Sequence, residues 1–186
     1  CAGDTDITTI PLSTDPNYTV WAAADCDGDG APNGTDTAPY DACVGGDVVN
    51  VDLTDTTSDW YTGDCDGDGV INGTEVDPDM DGTAGPNGTD PSDSCDYNQA
   101  NVTVTQGGEW STTDCDGDGE PNSTDTAPFD PCAGDTDITT IPLSTDPNYT
   151  VWAAADCDGD GAPNGTDTAP YDACVGGDVV NVDLTD

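Results

Sequence analysis

Apolar residues in this chain come in short alternating pieces separated by long polar runs. Residues 7–12, 48–53 and 102–104 alternate apolar and polar side chains with the period of a half-buried strand, and no segment carries the three-to-four spacing of an amphipathic helix. One plan recurs: a β-prone piece, a turn, a Trp, an acidic loop and a closing Cys. Trp21, Trp60, Trp110 and Trp152 each fall five residues before the Cys of their loop. That register predicts one Trp per subunit packed on strand and disulfide as a small core; a sugar-stacking surface is the alternative. Stretches of about 20 residues between loops cannot bury self-sufficient cores, so neighbouring subunits must share stabilisation.

Residues 1–55 recur without change at 132–186, a period of 131 residues. Such identity implies a linear assembly, by recent duplication or by a period repeated along a fibre, and the chain reads as cut from something longer. Four organisational pieces result. Residues 1–55 are a partial repeat, 56–95 a long middle subunit with two acidic loops, 96–132 a third subunit, and 132–186 the second copy of 1–55. The expected fold is mostly irregular with short β-strands, drawn out as a tandem-repeat rod or fibre.

Each acidic loop begins Asp-Cys-Asp-Gly-Asp-Gly and continues as a twelve-position calcium loop. In the first, Asp25, Asp27 and Asp29 fill positions 1, 3 and 5, Gly30 takes the turn at 6, Ala31 offers a carbonyl at 7, Asn33 stands at 9 and Asp36 at 12. The second sets Asp64, Asp66, Asp68, Val70 and Asn72 in those places and closes with Glu75. The third uses Asp114, Asp116, Asp118, Glu120, Asn122 and Asp125; the fourth uses Asp156, Asp158, Asp160, Ala162, Asn164 and Asp167. A fifth, imperfect copy has Asp77, Asp79 and Asp81, with its closing Asp90 two residues late.

Composition sharpens this picture. With 40 Asp and Glu and no Lys, Arg or His, the formal charge is -40, and only 33% of residues are hydrophobic. Disordered linker would share that composition, but not four complete registers of one twelve-residue pattern. Hard oxygen donors without His favour Ca2+ over zinc or copper. Five ions would offset about ten of the forty charges, and without them the chain should expand.

Nine cysteines place the chain outside the cytoplasm, as an extracellular, secreted or cell-surface protein. Pairing within subunits gives Cys26 with Cys43, Cys65 with Cys95, Cys115 with Cys132 and Cys157 with Cys174, leaving Cys1 for a preceding period. The alternative joins each closing Cys to the next opening Cys, such as Cys43 to Cys65, and leaves Cys174 over. Neither CxxC nor His suggests zinc or redox chemistry. No signal peptide or membrane-spanning run is present.

Eight of eleven asparagines lie in Asn-x-Ser/Thr. Those at position 9 follow from the repeat itself, so the independent acceptors are Asn17, Asn87, Asn101 and Asn148. Asp-Thr-Ala at Thr37, Thr126 and Thr168 looks like an O-glycosylation acceptor of Bacteroidota, and which linkage applies stays open.

The runs DCDGDGVINGTEV at 64–76 and DCDGDGAPNGTDTAPYDAC at 25–43 resemble thrombospondin type 3 repeats, especially those of secreted Bacteroidota surface proteins. The resemblance covers about half of the chain. It implies calcium wrapped inside a chain of little regular structure, in stalks or adhesins. It also implies that Asp41, Asp93, Asp130 and Asp172 complete a second ion per repeat. Asn at position 9, where the family usually has Asp, and the Trp-bearing inserts depart from it.

The expected function is structural, in an extracellular calcium-stabilised filament or adhesin stalk bearing glycans, with the chain's own repeats as partners and surface glycans as further ones. An acidic binding module for glycan, ice or mineral is the alternative. An enzyme is not expected, because the well-placed carboxylates are claimed by calcium. Nucleic acid and anionic membranes should be repelled, and no membrane insertion is expected.

Overall fold

Four short helices punctuate the described residues: α1 (Tyr18–Ala22), α2 (Asp59–Thr62), α3 (Asn72–Val76) and α4 (Tyr149–Ala154). The computed structural model describes residues 11–133 and 141–176. They belong to two compact units, 1–107 and 108–186. Among the described residues there is no strand. The expectation of an elongated, strand-bearing rod is therefore corrected.

The physical reason lies in local capping. Residues 48–53 alternate like a strand, yet Asp47 accepts from the amide of Val49 at 3.2 Å and from the side chain of Asn50 at 2.6 Å, closing a 3-10 turn over Val48–Asn50. Asn98 caps Gln99–Asn101 by accepting from the amide of Ala100 at 3.0 Å. Val102 is then extended, but Thr103 and Val104 donate to the carbonyl of Gly69 in an acidic loop instead of to a partner strand. Side-chain oxygens thus offer the backbone a local alternative to a sheet ladder. Of the third expected strand, 7–10 lie outside the described residues and 11–12 form none.

Helices α1, α2 and α4 each contain the Trp that precedes a loop. Their four to six residues are too few to show a helical period, which is why the sequence pattern hides them. Ser58 caps α2 by accepting from the amide of Tyr61 at 3.1 Å. In the first unit the core is Leu53, Trp60, Tyr61 and Val76, flanked by Ala42, Val51 and Ile71. Gly73 in α3 belongs to it by shape: a Cβ there would lie 2.5 Å from the Tyr61 ring.

Trp60, Trp110 and Trp152 are buried and Trp21 is half-buried, so these rings form small cores and not an open stacking platform. The second unit carries a flaw that its own copies expose. Trp152 Nε1 donates to the Tyr171 hydroxyl at 3.0 Å, and in the first unit Trp21 donates to Tyr40 at 2.9 Å. Trp110 has Phe129 at the same offset, and its buried Nε1 has no partner. Phe129→Tyr is expected to stabilise the protein by about 1 kcal/mol in denaturant unfolding, and Tyr171→Phe to cost a similar amount.

Disulfides link consecutive loops. Cys43 bonds Cys65 and Cys132 bonds Cys157, with Cα atoms 5.3 and 5.0 Å apart. Cys26, Cys95 and Cys115 are also disulfide-bonded, and Cys174 is an exposed free thiol. The expected pairs Cys26–Cys43, Cys65–Cys95, Cys115–Cys132 and Cys157–Cys174 are thereby overturned in favour of the alternative. The turns that end in Cys43 and Cys132 lie against the next loop, with Cys65 Sγ 3.9 Å from the Ala42 carbonyl and Cys157 Sγ 3.4 Å from that of Pro131.

Candidate metal centres

Each loop is organised from its first aspartate. Asp25 accepts from the amide of Gly28 at 2.8 Å through one oxygen and from Gly30 at 3.0 Å through the other. Asp64, Asp114 and Asp156 repeat both bonds at 2.7 to 3.0 Å. The chain can curl this tightly because positions 4 and 6 are left-handed, with φ of +84° at Gly28 and +90° at Gly30.

The next two aspartates turn inward. Asp27 Oδ1 accepts from the amide of Asp29, and Asp29 Oδ1 from that of Ala31, tying position 7 into the ring. Val70, Glu120 and Ala162 are tied in the same way by Asp68, Asp118 and Asp160. The closing Asp36 accepts from Ala38, as Asp125 does from Ala127 and Asp167 from Ala169. Glu75 accepts from the Thr89 hydroxyl at 3.2 Å.

In the first, second and fourth loops one oxygen of each inward carboxylate is therefore held, and the other is not. The second oxygens of Asp27, Asp29 and Asp36 are buried without a hydrogen-bond partner. The same is true of Asp66, Asp68 and Glu75, of Asp116, and of Asp158, Asp160 and Asp167. Asp29 and Asp68 are fully buried, and Glu75 is 1% exposed. Within each cluster, one oxygen from each of positions 1, 3 and 5 lies within 4.8 Å of the others, an arrangement that could hold a metal ion. Bare buried carboxylate oxygens this close are costly unless a cation or protons compensate them.

The proton affinities reflect that cost. Burial first, then neighbouring carboxylates, push Asp66 and Asp116 up to about 7 and Asp27 and Asp68 up to about 6. Glu75, facing Asp68, Asp66 and Asp64 from a buried position, rises to about 9. Asp29 and Asp158 move in the same direction, again chiefly by burial.

The position-9 asparagines do different work from the ligand role expected of them. Asn33 Oδ1 accepts from the Cys26 amide, while its Nδ2 donates to the Trp21 carbonyl at 2.7 Å and lies 3.0 Å from Cys26 Sγ. Asn72, Asn122 and Asn164 repeat this clamp on Trp60, Trp110 and Trp152. The sequence held a signal for it: each Trp stands twelve residues before its Asn. The sequons at these four positions accordingly put their Nδ2 inside the fold.

The fifth copy differs. Asp77, Asp79 and Asp81 cluster, with Met80 left-handed at φ +57° where the complete loops have Gly. Asp79 and Asp81 are exposed, and Asp90 stands outside the cluster, exposed, accepting from the amide and hydroxyl of Ser92. Asp41, Asp93, Asp130 and Asp172, expected at a second ion, are exposed and each accepts from the amide of the following closing Cys.

Among glycan acceptors, Asn17, Asn87, Thr37, Thr126 and Thr168 are exposed and Asn101 is half-buried. Asn148 Nδ2 donates to the Asp114 carbonyl at 2.7 Å. Among the described residues no helix is long and apolar enough to cross a membrane. The disulfides fit a chain that resides outside the cytoplasm. The chain matches no family model, no curated protein and no solved structure.

Proposed function

We propose that this chain is a calcium-ordered structural segment of an extracellular filament or adhesin stalk, built from its own tandem repeats and carrying glycans at exposed acceptors. The observation that carries the reading is the trio of bare, buried oxygens at positions 3, 5 and 12, such as Asp27, Asp29 and Asp36. No Lys, Arg or His exists in the chain to neutralise them. An oxygen-only donor set on a flexible glycine-turned loop suits Ca2+, which accepts six to eight oxygens, better than the soft or imidazole-seeking metals. Asp27, Asp29 and Asp36 would hold the ion in the first loop, Asp66, Asp68 and Glu75 in the second, with the matching carboxylates in the third and fourth. The ion would supply charge neutralisation, and the protein's part is to hold the carboxylates apart from water.

Function and ion are tested together on native assemblies. Calcium-loaded material is expected to show about four tightly held ions per chain, and filaments imaged in excess EDTA are expected to loosen. Unchanged filament diameter and persistence after chelation would count against a calcium-ordered filament.

A further inference from the structure

Consecutive loops within each unit are joined by a short relay. In the first unit the Trp60 amide donates to the carbonyl of Asp27, position 3 of the upstream loop, at 2.9 Å. The Trp60 carbonyl accepts from Asn72 of the downstream loop at 2.9 Å, and Asn72 in turn holds the Cys65 amide at 3.0 Å. In the second unit Asn148, which precedes α4, donates to the carbonyl of Asp114, position 1 of the upstream loop. The Trp152 carbonyl accepts from Asn164 at 2.9 Å, and Asn164 holds the Cys157 amide at 3.0 Å.

Close packing accompanies both docks. A Cβ on Gly28 would lie 2.5 Å from the Cβ of Ser58, and one on Gly117 would collide with the carbonyl oxygen of Asn148. The helix between the loops has four residues in one unit and six in the other. Helices this short are not stable alone in water, so each depends on the loop carbonyl at its start and the Asn clamp behind it. A turn that folds only when both neighbours are ordered is a two-state element biased from both sides.

We infer that the ions of each unit load cooperatively, with the Trp-bearing turn α2 or α4 passing the order of one loop to the next. This rests on the calcium reading above. The different chemistry of the two docks, a backbone amide in one unit and an Asn side chain in the other, makes the second separately breakable.

The test uses the full chain, 15N-labelled, with calcium added stepwise. The amide of Gly119, which donates to Asp114, reports the third loop alone. Asp160→Asn, or as a second arm Asp167→Asn, damages the fourth loop and is expected to weaken calcium binding at Gly119 at least about fivefold. In an Asn148→Ala background the same change should add nothing, because the dock is already cut; Gly69, in the first unit, should report no change in any variant. An unchanged Gly119 midpoint in both loop-four variants overturns the coupling while leaving calcium binding intact. A wild-type chain whose glycine resonances ignore calcium overturns both.

Discussion

Chelation at pH 8 is expected to unfold the protein, seen as loss of Trp burial in fluorescence and loss of the thermal transition. At free calcium of 100 times its dissociation constant, each site adds about 2.7 kcal/mol, so four sites supply roughly 11 kcal/mol. That is comparable to the whole stability of an ordinary domain, about 5–15 kcal/mol. Acid should partly substitute for the ion. The inward carboxylates have folded-state proton affinities raised above their unfolded values, so in the metal-free chain their contribution is complete below about pH 4. It is lost as pH rises through the values near 6 to 7 of Asp27, Asp66, Asp68 and Asp116, and for Glu75 through about 9. In EDTA the chain should therefore be more ordered at pH 4 than at pH 8, with calcium restoring order at pH 8. A melting profile indifferent to EDTA at pH 8 would refute ion binding at the loops.

Removing the Cys43–Cys65 bridge as a double Ser variant is expected to cost about 3 kcal/mol, the loop-closure value for a separation of 22 residues. The measurement belongs beside a peptide map made under non-reducing conditions with a protease specific for acidic residues, since there is no Lys or Arg to cut at. Peptides joining Cys43 to Cys65 and Cys132 to Cys157, with Cys174 alkylated as a thiol, are the expected result. A recovered Cys26–Cys43 peptide would reject the pairing.

The loops were legible because their information is local: Asp27, Asp29 and Asp36 are placed by spacing along one stretch of chain, and the glycines at positions 4 and 6 mark the turns. What escaped depends on contacts between stretches. Asn33 has oxygen chemistry suited to a ligand, and only the position of the Trp21 carbonyl shows that its amide is engaged elsewhere. The disulfides could be paired either way until Cys43 was seen to end beside Cys65. Alternation at 48–53 suggested a strand because valine patterning carries no record of the Asp47 cap. The short helices left no period to read, although the constant spacing from each Trp to the Cys of its loop was visible.

The asparagine clamp also governs how such material ages. Asn33, Asn72 and Asn164 each precede a glycine, the pairing in which an asparagine side chain is most readily attacked by the next backbone nitrogen and converted to aspartate. While the fold is closed, the buried amide is pinned to a Trp carbonyl and cannot reach that geometry. If the loops hold calcium as proposed, an excursion that opens a loop would expose the amide, and conversion would then set a carboxylate against that carbonyl, so hydrolytic damage would be expected to track time spent without the ion.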